Sequence, residues 1–160
     1  MRAAVSPGRV AGSLAPLEDC YRPDLSPDDP RPEHRALARV LADAGVDLLL
    51  CETFPHPGEA RIAVEEAVAT GLETWAALTA GPDADLMTPD EMGRAARELV
   101  SAGAGAVLVN CVPAAKTLPY VRALAAAVDV PIGAYANAGH ADEEIGWQSA
   151  GEGGAERYAD

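Results

Sequence analysis

The sequence predicts an α/β protein, an incomplete parallel βα barrel with about five of the eight strand and helix units of a closed barrel. From residue 33 onward, short apolar segments alternate with segments of helical periodicity. Strands are expected to begin near residues 46, 73, 106 and 131, at intervals of 25 to 33 residues, which fits one βα unit each. No GxGxxG or GxxxxGK[ST] loop favours an open nucleotide-binding sheet instead. Residues 1–160 are therefore predicted to form one partial barrel domain.

Glycine and proline residues delimit the first predicted elements. Residues 9–15 (RVAGSLA) predict a short strand in which Gly12 permits a close approach by another backbone or a ligand. Residues 16–32 hold five prolines and four aspartates, so we expect an irregular loop that covers one end of the fold. A helix follows, with Leu37, Val40, Leu41 and Ala44 expected on its buried face.

The later units repeat this alternation. Residues 46–51 (VDLLLC) form a continuous apolar run, as expected of a strand covered on both faces. The next helix begins at Pro57, and TPDE at residues 88–91 supplies a cap, a first-turn proline and a capping-box glutamate for another. Further strands are predicted at residues 73–79, 106–110 and 131–136. A last helix, with Leu118, Val121, Leu124 and Val128 on its buried face, is predicted at residues 117–128.

Charge and composition exclude several classes of protein. The formal net charge of -13 would repel nucleic acid and anionic lipid surfaces, so neither is expected as a partner. No apolar run reaches the roughly 18 to 20 residues that span a bilayer, and the first residues lack a secretory signal, so we expect a cytoplasmic protein. The three cysteines are widely spaced and odd in number, which argues against a disulfide framework.

Candidate functional residues stand where the strands end. All strands of a parallel sheet end on one face, so Glu52, Asn110 and Cys111 should converge there. Glu52 could hold a ligand amine or merely begin a solvated loop. Asn110 could contact substrate or bond the neighbouring loops, and Cys111 could be a reactive thiolate or an inert core residue.

Other polar residues are weaker candidates. Asn137 lies in a Gly-rich turn that favours asparagine for its backbone geometry. The histidines at 34, 56 and 140 form no metal pair and are expected at the surface. Cys51 should point to the covering helices, away from Glu52.

Five segments in this order, VAGSLAP, the acidic loop, DLLLCETFPHPGEA, AVLVNCVP and PIGAYANAGH, resemble the homocysteine S-methyltransferase family over nearly the whole chain. The resemblance implies a zinc-dependent barrel enzyme. Such an enzyme moves a methyl group from S-methylmethionine, S-adenosylmethionine, betaine or a methylfolate to the zinc-bound thiolate of homocysteine, which gives methionine. It also implies that Cys111 is a zinc ligand, that Glu52 binds the homocysteine amino group and that Asn110 shapes the pocket.

The family's two other zinc ligands, an adjacent pair of cysteines, have no counterpart in this sequence. We therefore expect a central portion of the enzyme that alone binds zinc weakly and transfers little methyl. The alternative is a non-catalytic partial barrel that associates with another chain, or with itself, through its exposed sheet edges. A different barrel enzyme with Glu52 as base is a third hypothesis.

Overall fold

The computed structural model describes residues 8–137, 139–142 and 146–149. Its five-stranded sheet comprises β1 (Ala11–Leu14), β2 (Leu48–Phe54), β3 (Thr74–Leu78), β4 (Ala106–Pro113) and β5 (Ile132–Asn137). Four helices alternate with these strands, namely α1 (Arg31–Asp43), α2 (Pro57–Val68), α3 (Pro89–Ser101) and α4 (Ala114–Ala127). A short 3-10 helix, Pro23–Leu25, interrupts the long loop before α1. No helix in the described part of the chain is long and apolar enough to cross a membrane.

The strands are parallel and lie in the sheet in chain order, β1-β2-β3-β4-β5. Crossovers of one hand that always step in the same direction place all their helices on one face of the sheet. A doubly wound sheet would instead reverse direction at a switch point. The sheet order therefore confirms the predicted partial βα barrel.

One side-chain contact shows how strongly the sheet is curved. The Tyr135 hydroxyl in β5 lies 2.7 Å from Glu52 Oε2 in β2, although two strands separate them. In a flat sheet, three strand spacings amount to about 14 Å, and neighbouring side chains stand parallel to each other. The two side chains meet because the sheet curls around a shared interior, which we call the lumen.

Alternation along the strands divides the core from the lumen. Leu49 and Cys51 of β2, with Val107 and Val109 of β4, are fully buried against the helices. The residues between them point to the other face. This confirms that Cys51 points away from the lumen, and burial raises the pKa of its thiol to about 12.

The buried faces of α1 and α4 differ in part from the predicted ones. Leu37 is 37% exposed and Val40 64% exposed, while His34 and Ala38 of the same helix are completely buried. Leu118 of α4 is 54% exposed, and Tyr120 is buried instead. The rest of the prediction holds in part, because Leu124 is completely buried and Leu41, Val121 and Val128 pack against the core. The misassigned positions lie beside buried polar side chains that have partners of their own: His34 bonds to Glu59, and Tyr120 donates to the carbonyl of Met87. A pattern of apolar residues does not reveal which polar side chains are buried.

Strand ends were also predicted too early. β2 runs on to Phe54, β4 to Pro113 and β5 to Asn137. Glu52 therefore lies inside β2 and not after it, Cys111 lies inside β4 and not at its end, and Asn137 is the last residue of β5 and not part of a turn after it. The residues beyond β5 contain an unpredicted antiparallel hairpin of β6 (Gly139–Asp142) and β7 (Gly146–Ser149), so His140 lies in a strand and not in a turn.

A charged cluster ties α1 to α2, and it predicts an acid-sensitive fold. Glu66, with a side chain only 7% exposed, accepts hydrogen bonds from Arg35 and Arg31. The Arg35 bond most of all, then Arg31, lowers the Glu66 pKa from 4.5 to about 2 against the opposing effect of burial. The pKa is lowered by folding, so the stabilisation is complete above pH 4.5 and is lost as the pH falls toward 2.

Glu66→Gln should therefore lower the free energy of unfolding by about 2 kcal/mol at neutral pH, after allowance for solvent screening of the half-exposed arginines. The difference from wild type should nearly vanish at pH 2 in urea denaturation. Glu65→Gln, at a neighbouring residue that is 30% exposed, is the matched control and should cost less. A cost that does not depend on pH would contradict this assignment.

Candidate functional site

Two neutral hydroxyl groups hold the Glu52 carboxylate in the lumen. Ser13 Oγ of β1 donates to Glu52 Oε1 at 2.6 Å, and Tyr135 Oη of β5 donates to Oε2 at 2.7 Å. Within the described residues, no arginine, lysine or histidine forms an ion pair with this carboxylate. A half-buried carboxylate without a cationic partner is suited to a ligand amine.

Tyr135 is a site residue that sequence reasoning missed. Burial most of all, then the hydrogen bond to Glu52, raises the pKa of its hydroxyl, so it remains a proton donor at physiological pH. The signal was available, because residues two apart on a strand share a face, and Tyr135 stands two before the candidate Asn137.

Asn110 links β4 to β2 beside Cys111. It is 1% exposed, and its Nδ2 donates to Thr53 Oγ1 at 2.7 Å and to Cys111 Sγ at 3.4 Å. Thr53 Oγ1 itself lies 3.8 Å from Cys111 Sγ, and Thr79 Oγ1 donates to the Cys111 carbonyl at 3.3 Å. Thr53 follows Glu52 directly, so the carboxylate and the thiol belong to adjoining parts of one site.

Backbone strain makes this arrangement possible. Thr53 (φ 64°) and Cys111 (φ 52°) both adopt the left-handed region, at places where the register of β2 and of β4 shifts. That conformation costs roughly 1–2 kcal/mol per residue for L-amino acids and often marks functional sites. In a regular strand Asn110 and Cys111 would point to opposite faces, but the bulge brings their side chains into contact. The residues with positive φ in the two bulges are not glycines, so the sequence pattern does not predict either bulge.

The long loop before α1 reaches the same thiol. Burial raises the pKa of Tyr21 to about 12, and the nearby Cys111 and Cys20 thiols raise it further. Burial, Asp19 and Cys111 likewise raise the pKa of Cys20. The loop residues Cys20 and Tyr21 therefore lie near Cys111.

Two histidines have structural roles. His34 is completely buried, so its predicted surface position was wrong, because Glu59 supplies a buried hydrogen-bond partner at 3.1 Å. His56 caps α2 by accepting from the Glu59 backbone N–H.

The described residues do not form a metal site. Among them, no three histidine, cysteine, aspartate or glutamate side chains cluster closely enough to hold an ion. Cys111 therefore lacks, within this part of the chain, the further ligands that tetrahedral zinc requires. Two buried polar atoms near the strand ends, Asn110 Oδ1 and Asn137 Nδ2, also lack hydrogen-bond partners there, which leaves them available to a ligand.

A family model described as homocysteine S-methyltransferase matches residues 1–159. The chain belongs to the homocysteine S-methyltransferase family. Betaine–homocysteine S-methyltransferase 1 of Danio rerio is 45% identical over 74 residues, which are 45% of this chain and 18% of that protein. The Sus scrofa protein of the same name is 42% identical over 79 residues, 48% of this chain and 27% of its own.

Solved structures of the family share the fold. The metallated form of the homocysteine methyltransferase MmuM from Escherichia coli matches with a TM-score of 0.68 and 24% identity. That match covers 82% of this chain and 49% of the bacterial one. The chain thus spans about half of a homocysteine S-methyltransferase of known structure, which accords with a partial barrel.

Proposed function

We propose that this chain forms the amino-acid-binding side of a methyltransferase that passes a methyl group from a donor to the thiolate of homocysteine, giving methionine. The observation that carries the proposal is the Glu52 carboxylate, held by Ser13 and Tyr135 and adjoining the cluster of Asn110 and Cys111. Homocysteine has an ammonium group and a thiol, and this site offers a group suited to each.

Each residue has a separate role in the proposal. Glu52 binds the substrate ammonium, while Ser13 and Tyr135 orient the carboxylate. Asn110 shapes the pocket between β2 and β4, and its unpartnered Oδ1 can accept a hydrogen bond from the substrate. The substrate sulfur attacks the methyl carbon, and the methyl–donor bond breaks with its electron pair remaining on the donor. S-methylmethionine, S-adenosylmethionine, betaine and a methylfolate are the candidate donors.

A resident metal is proposed only at the level of the family. Zinc would activate a substrate thiol by favouring its thiolate, and Cys111 is the residue in this chain that would contribute a ligand. The described residues alone do not fit such a centre, so no step of the proposed chemistry is assigned to it.

This chain alone should hold zinc weakly. After dialysis against micromolar zinc, elemental analysis should find far less than one zinc per chain. Cys111→Ser should leave that content almost unchanged. Stoichiometric zinc that disappears in Cys111→Ser would contradict the prediction and would place a complete centre in this chain.

The methyl-transfer proposal is tested by assaying methionine formation from homocysteine with each candidate donor. We expect homocysteine to bind while turnover by this chain alone stays small, because the described residues lack a metal centre. Absence of homocysteine binding would overturn the proposal. Turnover with a donor but with another acceptor in place of homocysteine would also contradict it and would favour a different barrel enzyme.

A second candidate function is a non-catalytic partial barrel that pairs with another chain. It is favoured by the unpaired edges of β1 and β5 in the described sheet, and by the exposed Leu37, Val40 and Leu118. Light scattering during gel filtration distinguishes the two candidates. A monodisperse, folded monomer that binds homocysteine favours the methyltransferase role, whereas an obligate dimer without homocysteine binding favours pairing.

A further inference from the structure

A buried carboxylate outside the lumen bonds to two places in the long loop before α1, Leu17 and Ser26. Glu59, 2% exposed in the first turn of α2, accepts from the Leu17 backbone N–H at 2.9 Å through Oε1. Its Oε2 accepts from Ser26 Oγ at 2.7 Å. Leu17 and Ser26 bracket Cys20 and Tyr21, the loop residues that interact with Cys111.

His34 completes the environment of Glu59 from α1. Its Nε2 lies 3.1 Å from Glu59 Oε1, and its Nδ1 has no partner among the described residues. The Nε2 of His34 can therefore donate a hydrogen bond to the Glu59 carboxylate. The His34 ring also lies 5.7 Å from that of Phe54, the last residue of β2. Glu59 is thus connected to the loop, to α1 and to the strand that carries Glu52.

The burial of a charged side chain at Glu59 needs an energetic explanation. Burying a carboxylate costs several kcal/mol unless hydrogen bonds compensate it. Burial acts to raise the Glu59 pKa, but the bonds from His34, Leu17 and Ser26 outweigh it and lower that pKa overall, so the group remains charged. An apolar side chain could fill the same volume, but only a multiple acceptor fixes the loop backbone in one register.

We propose that Glu59 is a positioning residue that fastens the loop of residues 16–30 to α2, and that the fastened loop keeps Tyr21 and Cys20 over the Cys111 thiol. The inference goes beyond the proposed methyl transfer and does not depend on it, because it concerns access to a thiol in this chain. The loop is held from α2, on the far side of β2 from the lumen.

The test measures alkylation of each cysteine by iodoacetamide under native conditions, with mass spectrometry of tryptic peptides. The three cysteines fall in three different tryptic peptides, so their rates are obtained separately. Glu59→Ala should raise the Cys111 rate about tenfold by freeing the loop. Glu59→Gln should stay near the wild-type rate, because its amide oxygen can still accept from Leu17 and His34 and its amide nitrogen can donate to Ser26 Oγ.

Two controls separate loop release from general destabilisation. Cys51 is fully buried in the core, so its rate reports global unfolding in the same sample. Glu66→Ala removes another α2 carboxylate, one that bonds to Arg31 and Arg35 of α1 and to neither loop anchor. It should lower the melting temperature without changing the Cys111 rate of the folded protein.

The proposal is overturned if Glu59→Ala leaves the Cys111 rate unchanged, if Cys51 accelerates in parallel, or if Glu66→Ala exposes Cys111 equally. If Glu59→Ala does not fold, Ser26→Ala provides the same comparison, because it removes one anchor and leaves the buried charge paired with His34. A faster Cys111 in Ser26→Ala supports the proposal, and an unchanged rate overturns it.

Discussion

Replacing Glu52 with glutamine should weaken homocysteine binding about 100-fold, because a neutral amide cannot form the charge-assisted bond to the substrate ammonium. Glutamine has nearly the same shape as glutamate: its amide oxygen can accept from one of the Ser13 and Tyr135 hydroxyls, and its amide nitrogen can donate to the oxygen of the other. The change should therefore remove the charge without displacing the side chain. Isothermal titration calorimetry of both proteins measures the difference.

Glu73→Gln is the matched control for Glu52→Gln. Glu73 directly precedes β3, at the opposite end of the sheet, where it bonds to Arg9 and to the Trp75 indole. Glu73→Gln makes the same change in net charge as Glu52→Gln but far from the proposed site, so the affinity for homocysteine should not change. If Glu52→Gln has no greater effect than Glu73→Gln, Glu52 does not bind the substrate amine.

Replacing Phe54 with alanine should lower the free energy of unfolding by about 3–5 kcal/mol, the usual cost of removing a fully buried aromatic side chain. Phe54 is completely buried and packs against the His34 ring at the end of β2. It also follows Thr53 at the strained bulge, so the cavity should loosen the hydrogen bond between Thr53 and Asn110. Urea denaturation followed by far-UV circular dichroism measures the loss.

Leu118→Ala is the control for Phe54→Ala. The helical pattern of α4 predicts a buried Leu118, but the side chain is 54% exposed, so its truncation should cost less than about 1 kcal/mol. A cost for Leu118→Ala equal to that for Phe54→Ala would contradict the assignment of the core.

Local sequence signals predicted the framework well. Thr88 and Glu91 form the predicted capping box of α3. Cys51 is buried as the alternation of β2 requires. These features depend on residues close together in the chain, and their energetics can be read from a short segment.

The rest depends on contacts between distant segments. The bond from Tyr135 to Glu52 spans 83 residues and exists only because the sheet curls. His34 is buried because Glu59, 25 residues away, provides an acceptor. The bulges at Thr53 and Cys111 have no glycine to mark them, since their strain is offset by packing and hydrogen bonds around the site. The sequence therefore placed Glu52, Asn110 and Cys111 at one end of the barrel but could not show how they are held.

The most direct measurement of the central claim compares homocysteine with 4-mercaptobutanoate, the same molecule without its amino group, by calorimetry on wild type and Glu52→Gln. If Glu52 binds the amine, wild type should prefer homocysteine by about 100-fold, and Glu52→Gln should lose nearly all of that preference. Equal affinity of wild type for the two thiols, or a preference that persists in Glu52→Gln, would contradict the account.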